Sequence, residues 1–168
     1  MQKGKLMNIK MIVAMDRERA IGKAGKIPWH LKADIDHFAS TTTGKVVVMG
    51  RKTYQSLPNR FRPLPERQNI VLTRSLSLLA PGCEVLNTLQ EVLQRSMTRE
   101  VWVMGGAEIY QAFLPYSRCI MVTHVGTRIG GDIFFPAVPG HWAPRQLFRQ
   151  EADEKNDFSF SVTEYTRR

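Results

Sequence analysis

The sequence predicts an α/β fold: a central, mostly parallel mixed sheet of about eight strands with an antiparallel C-terminal edge, flanked by about four helices. Three observations lead there. Short apolar runs such as Lys45–Gly50 and Glu100–Met104 alternate with segments of helical period. Two of those runs pass through glycine straight into a helix start, as strands of parallel units do. The chain then closes on two alternating segments that can pair with each other.

The elements follow in order. Asn8–Met15 (NIKMIVAM) reads as a first, largely buried strand. Asp16–His30 has no clean period and holds Gly22, Gly25 and Pro28, so it is expected to be a long loop, a feature that is usually functional. Leu31–Thr41 reads as a helix with Ile35, Phe38 and Ala39 on one face. Lys45–Gly50 is a continuous apolar strand, followed by a short helix at Arg51–Leu57 and a Pro-rich basic loop at Pro58–Arg67. Gln68–Thr73 and Cys83–Leu86 read as strands. Thr88-Leu89-Gln90-Glu91 is a capping box, opening a helix with Leu89, Val92, Leu93 and Met97 on a common face. After the strand Glu100–Met104, Gly105-Gly106 leads into a helix with Ile109, Tyr110, Phe113 and Leu114 inward. Arg118–Val125 is a strand, and Gly126–Pro144 is loop-rich. Gln146–Ala152 and Phe158–Thr166 form the final antiparallel pair.

Composition narrows the function classes. A chain of 168 residues with 43% hydrophobic and 23% charged residues can bury a core and is not a disordered segment. No repeat or linker appears, so residues 8–168 are expected to form a single domain after a short extension at 1–7. Cys83 and Cys119 form no CxxC pair and sit in apolar runs, which predicts reduced, buried thiols. The four histidines are scattered without zinc spacing, so no metal is expected. The basic N-terminus lacks a signal-peptide apolar stretch, and no apolar run approaches the roughly 20 residues of a membrane span. A cytoplasmic protein with no membrane partner is the expectation. The net charge of +9 suits either a nucleic acid or a small polyanion. The cations are spread from Lys3 to Arg168 without a dense run, and the aromatics are interleaved with core patterns, which favours the small anion over nucleic acid.

Three constellations carry chemistry. Met49-Gly50-Arg51-Lys52-Thr53 runs from a strand through glycine into a helix start bearing two cations and a hydroxyl. Met104-Gly105-Gly106-Ala107 makes the same passage through two glycines. Helix starts offer unpaired N–H groups to phosphate, and glycine admits close approach, although each site alone also fits a simple tight turn. Two together favour a diphosphate ligand, and the absence of GxGxxG excludes the usual dinucleotide fingerprint. The third is Asp34, which shares one side of its helix with Ile35 and Phe38. A carboxylate there is either a charge favoured by the helix dipole or a functional group held among apolar neighbours. Asp36 lies on the solvent side.

Here the sequence resembles a family. Ile21-Gly22, Pro28-Trp29, Ala33-Asp34, Val48–Thr53, Pro63–Asn69, Met104–Tyr110, Thr123-His124, Gly131-Asp132 and Phe135-Pro136 fall in the order and spacing of dihydrofolate reductase of the bacterial chromosomal type. Arg167-Arg168 closes the match, which covers about residues 8–168. The resemblance implies NADPH-dependent reduction of 7,8-dihydrofolate to tetrahydrofolate for one-carbon metabolism, by an oxidoreductase acting as a monomer and bound by antifolates. It implies that Asp34 binds the pterin N3 and 2-amino group, with Thr123 hydrogen-bonding near it. A cleft lined by Ile12, Val13, Ala14, Ile35, Phe38, Leu57, Leu64 and Met104 follows from it, as does an Arg67 grip on the substrate's α-carboxylate. Tyr110 would stand near nicotinamide and pterin, and the backbone of Ala14 and Ile21 would hold the carboxamide. Arg51, Lys52, Thr53, Thr73, Arg74 and Ser75 would take the adenosine phosphate side, and Gly50, Gly105, Gly106 and Ala107 the glycine turns, with Gly105–Gly106 joined by a cis peptide. The loop Asp16–His30 resembles a lid with Asp132 as its partner. Glu108 departs from some members that carry a cation there, and Pro58–Arg62 is more basic and slightly longer than in some members, while His30 and Lys32 replace variable residues and take no role. A pteridine or pyrimidine reductase of the same fold is the competing enzyme, against which Asp34 and Arg67 argue. A basic nucleic-acid module is the competing class.

Overall fold

A computed structural model describes residues 7–168. All but Met7 of the expected N-terminal extension lies outside the described residues. The elements in chain order are β1 (Ile9–Met15), β2 (Ala20–Gly22), α1 (Lys32–Thr42), β3 (Val46–Gly50), α2 (Arg51–Ser56), β4 (Gln68–Leu72), β5 (Glu84–Leu86), α3 (Leu89–Ser96), β6 (Val101–Val103), α4 (Ala107–Phe113), β7 (Ser117–Val125), β8 (Ile133–Phe134), β9 (Ala143–Gln150) and β10 (Phe160–Thr166). Eight strands form one sheet in the order β5-β4-β3-β6-β1-β7-β10-β9, and β2 and β8 form a separate ribbon. The α/β class, the parallel majority and the antiparallel C-terminal edge are all present.

The chain divides into two compact units, one running to Lys10 and then Thr42–Arg118, the other Met11–Thr41 and Cys119–Arg168. In the first, β3 pairs in parallel with β4 from Val46↔Gln68 and with β6 from Val46↔Val101, and β4 pairs in parallel with β5. Every residue of β3 is buried, as a strand covered on both faces requires, and each such valine contributes roughly 1.5–3 kcal/mol. The capping box of α3 is complete: Glu91 N–H donates to Thr88 Oγ1 at 3.3 Å and Thr88 N–H to Glu91 Oε2 at 2.9 Å. In the second unit, β10 runs antiparallel to β7 and β9, with a register irregularity at Val162/Thr163.

Several expectations need correction. The loops Asp16–His30 and Gly126–Pro144 contain β2 and β8, which pair with each other. Elements this short carry no period, so only tertiary pairing makes them visible. The inward face of α1 is thinner than its pattern, because Ile35 is 52% exposed and Phe38 and Ala39 are half-buried. Periodicity shows which residues share a side, not which side is covered. Met97 follows the end of α3 and is 41% exposed, and Leu114 starts a 3₁₀ turn, Leu114–Tyr116, instead of extending α4. A second 3₁₀ turn, Asn59–Phe61, interrupts the basic loop. β9 begins at Ala143 and includes Pro144, which is tolerated because β9 is an edge strand and can spare an N–H. Neither cysteine is disulfide-bonded, and of the two only Cys119 is buried.

Candidate active site

In the second unit, two of the expected residues meet. Asp34 stands in the first turn of α1 and Thr123 on β7. Thr123 Oγ1 donates to Asp34 Oδ1 at 2.6 Å, although 89 positions separate them. Thr123 is buried, and its second attachment is the strand itself. Desolvation raises the Asp34 pKa, and the Thr123 hydroxyl opposes that rise. The result is one carboxylate, held from one side and short of water. Ile12 and Val13 are buried in β1, and Ala14 and Ile21 are half-buried.

The start of α1 has no capping side chain of its own, because Leu31 precedes it. A distant segment supplies the cap. Ala33 N–H donates to Asn156 Oδ1 at 3.0 Å, Lys32 N–H to the Lys155 carbonyl at 3.0 Å, and His30 N–H to Asp157 Oδ2 at 2.7 Å. Asn156 is buried and is itself held by Asp153 Oδ1 at 2.9 Å. Sequence reasoning missed Asn156; the signal was a helix start with no local cap. Asp132 does meet the expected loop, since its Oδ2 accepts from Ala24 N–H at 3.1 Å and its N–H donates to the Gly22 carbonyl at 3.1 Å.

In the first unit, the glycine turn is built as expected. Gly105–Gly106 is a cis peptide, and Gly105 has φ +122°, where a side chain is strained. Gly50 N–H donates to the Gly105 carbonyl at 2.9 Å, which joins the two turns. A Cβ on Gly50 would lie 3.0 Å from Ile109 Cγ1, so a side chain there would have to displace Ile109. Thr53 Oγ1 flanks Gly105 and Gly106, each of whose Cβ positions would lie 3.5 Å from it. The buried Tyr110 hydroxyl stands beside Gly105, and burial pushes its pKa far up, so it is a neutral donor or acceptor. Arg51, Lys52 and Arg74 are exposed, and Ala107 is half-buried. Thr73 Oγ1 accepts from Ser75 N–H at 3.1 Å, and Asn87 Nδ2 donates to the carbonyls of Thr73 and Ser75 at 2.9 and 3.0 Å. Asn87 was not foreseen.

Also in the first unit, Arg67 is aimed by its own neighbourhood. Its Nε donates to the Pro65 carbonyl at 2.8 Å and its Nη1 to Thr42 Oγ1 at 3.2 Å. The turn Leu64–Arg67 is templated by buried Asn69, which accepts from Leu64 N–H at 2.8 Å and donates to the carbonyls of Leu64 and Arg67 at 2.9 and 3.0 Å. Leu64 is buried; Leu57 and Met104 are half-buried. In the basic loop, Arg60 lies over the Phe61 ring at 4.9 Å and Arg62 over Tyr54 at 5.7 Å. Among the described residues, no group of His, Cys, Asp and Glu could hold a metal ion, and no helix is long and apolar enough to cross a membrane.

A desolvated carboxylate in one unit, and paired glycine turns beside cations and an anchored arginine in the other, are features that an α/β oxidoreductase uses. A family model for dihydrofolate reductase matches residues 8–167. The chain is 36% identical over 163 residues to the dihydrofolate reductase of Staphylococcus haemolyticus, covering 96% of each chain. It is 40% identical over 137 residues to the dihydrofolate reductase of Mycobacterium tuberculosis, covering 80% of this chain and 83% of that one. Among solved structures, dihydrofolate reductase from Enterococcus faecalis in complex with NADP(H) and RAB-propyl superimposes with a TM-score of 0.84 at 31% identity, covering 95% of each chain. The chain belongs to the dihydrofolate reductase family.

Proposed function

We infer that this chain reduces 7,8-dihydrofolate to 5,6,7,8-tetrahydrofolate with NADPH, and that Asp34 is the carboxylate on which substrate recognition turns. The observation that carries the reading is the Asp34–Thr123 hydrogen bond of 2.6 Å, which holds one carboxylate with a raised pKa. A pterin edge presents two adjacent N–H donors, N3 and the 2-amino group, and a fixed carboxylate matches them. The family membership and the NADP(H) complex of the Enterococcus relative support the activity and the cofactor.

The residues divide the work as follows. Asp34 binds and polarises the pterin ring so that water protonates N5, and Thr123 holds Asp34 in place. Ile12, Val13, Ala14, Ile35, Phe38, Leu57, Leu64 and Met104 give the ring its apolar surroundings. Arg67 grips the α-carboxylate of the glutamate tail with its fork, the planar geometry that a lysine lacks. The residues present fit NADPH: the Gly105–Gly106 turn leaves the backbone open beside the Thr53 hydroxyl, and Arg51, Lys52 and Arg74 bring cations with Thr73 and Ser75. Ala14 and Ile21 hold the carboxamide through their backbones, Gly50 and Ala107 complete the turns, and Tyr110 flanks the ring. When bound, NADPH supplies the hydride that reaches pterin C6.

We further propose that residues 8–168 form one catalytic domain, that the enzyme is a cytoplasmic monomer and that antifolates bind at Asp34. The family match over 8–167 supports the first of these. Loss of NADPH absorbance with dihydrofolate present, and none with it absent, tests the activity. Turnover of an unsubstituted pteridine or a pyrimidine in place of dihydrofolate would count for the competing reductase. Size-exclusion chromatography tests the monomer.

A further inference from the structure

The carboxylate of Asp16 serves none of these roles, yet it is 2% exposed and fully engaged. Its Oδ1 accepts from the backbone N–H of Glu18 and of Ala20, both at 2.8 Å. Its Oδ2 accepts from Ile129 N–H at 2.9 Å. The Asp16 N–H donates to the Ala20 carbonyl at 3.0 Å, and Arg19 N–H donates to the Asp16 carbonyl at 3.0 Å. One side chain thus closes the turn that enters β2 and ties it to the segment between β7 and β8.

Neighbouring bonds run the same way. Arg17 N–H donates to the Thr127 carbonyl at 3.0 Å, and Phe135 N–H to the Arg19 carbonyl at 2.8 Å. The Arg19 guanidinium donates to the Phe135 carbonyl at 2.7 Å. Arg19 has φ +66°, so the turn needs outside support. Three N–H donors converge on Asp16, and a carboxylate has two acceptor oxygens to receive them. Asparagine would offer one oxygen and one NH₂, leaving a donor facing a donor.

We propose that Asp16 is a positioning residue for hydride transfer: it fixes the turn into β2, and with it the backbone of Ile21. The inference rests on the reductase activity and on the carboxamide role of Ile21 given above. Ile21 follows Ala20, whose N–H and carbonyl are both held by Asp16, so any play in the turn passes on through one peptide plane. Hydride transfer needs reacting atoms about 3–3.5 Å apart and aligned, so a loose turn slows that step while pterin affinity, set by Asp34 and Arg67, is unaffected.

The test compares Asp16→Asn and Asp16→Ser with wild type in steady-state turnover, using NADPH and NADPH deuterated at the transferred position. The expected result is a fall in kcat of about tenfold from loss of one charge-assisted bond. The deuterium isotope effect on kcat should rise, the dihydrofolate KM should hold, and the Ile129 amide should exchange faster. A folded Asp16→Asn enzyme with wild-type kcat and isotope effect overturns the proposal. So does a lower kcat that follows a lower fraction of folded enzyme at an unchanged isotope effect, since Asp16 is then structural only. Failure of both variants to fold has the same meaning. A wild-type chain inactive on dihydrofolate would instead overturn the functional reading.

Discussion

Two sets of residues proposed to serve recognition are held in opposite ways. Asp34 and Thr123 are locked to each other by a 2.6 Å bond, with Thr123 wholly buried. Arg51, Lys52 and Arg74 stand exposed in the other unit, where the Arg51 guanidinium donates to Gln55 Oε1 at 3.4 Å. The first pair is joined to each other without any ligand, and desolvation raises the pKa of its carboxylate. The second set is exposed and carries charge that salt screens. The lesson is one of magnitude: a buried, pre-aligned group should govern rate and pH dependence, and exposed cations should tune affinity by smaller steps.

The sharpest way to break this contrast is Asp34→Asn. Its turnover at neutral pH should fall by about 100-fold or more, the scale of a positioned acid–base group. The rate should recover as pH falls, because solution then supplies protonated substrate. A wild-type rate and pH profile would sink the assignment. The same variant should melt at a higher temperature than wild type at neutral pH. Burial raises the Asp34 pKa, so its contribution to stability is full below the ordinary carboxylate range and is lost as pH rises through the raised folded value. Above that value the buried charge opposes folding, and asparagine removes it. A melting temperature that drops at neutral pH would contradict the burial argument.

Arg67→Leu comes next. It should raise the dihydrofolate KM roughly tenfold to a hundredfold, as expected for lost charge-assisted bonds. A pterin without the glutamate tail should be indifferent to the change. Equal losses for both would make Arg67 a structural residue of the Leu64–Arg67 turn.

Among the exposed cations, Arg51→Ala and Arg74→Ala should each narrow the NADPH over NADH preference by about tenfold at low salt. Titrations of both cofactors at two ionic strengths measure this, and parallel losses for both would remove the 2′-phosphate assignment. Thr123→Val should have a smaller effect, mostly on pH. The Thr123 hydroxyl lowers the Asp34 pKa, so its removal should move the pH profile of substrate binding upward. A downward shift would mean that the Thr123 hydroxyl does not hold the Asp34 pKa down. The smallest effect is expected of Asp36→Asn. Its pair with Lys32 at 2.6 Å is exposed, worth about 0.3–0.5 kcal/mol, and the activity profile should not move.

What the sequence alone determined was whatever repeats with a period or carries its own turn chemistry. The valine run of β3, the Thr88–Glu91 capping box and the glycine turns at Gly50 and Gly105-Gly106 were all legible, because local sterics and burial dictate them within a few residues. Asp34 stood out by residue type and by resemblance, Thr123 and Arg67 by resemblance alone. Only the tertiary structure decided the rest. The β2–β8 ribbon has two or three residues per strand, too few for a pattern. Asn156 caps a helix more than a hundred positions away, and Asn69 templates the turn that aims Arg67. Asp16 resembled any polar residue at a strand end until folding brought Ile129 N–H to its second oxygen. A buried polar group is defined by partners that must all be satisfied at once, and those partners are chosen by three-dimensional proximity, which no local pattern records.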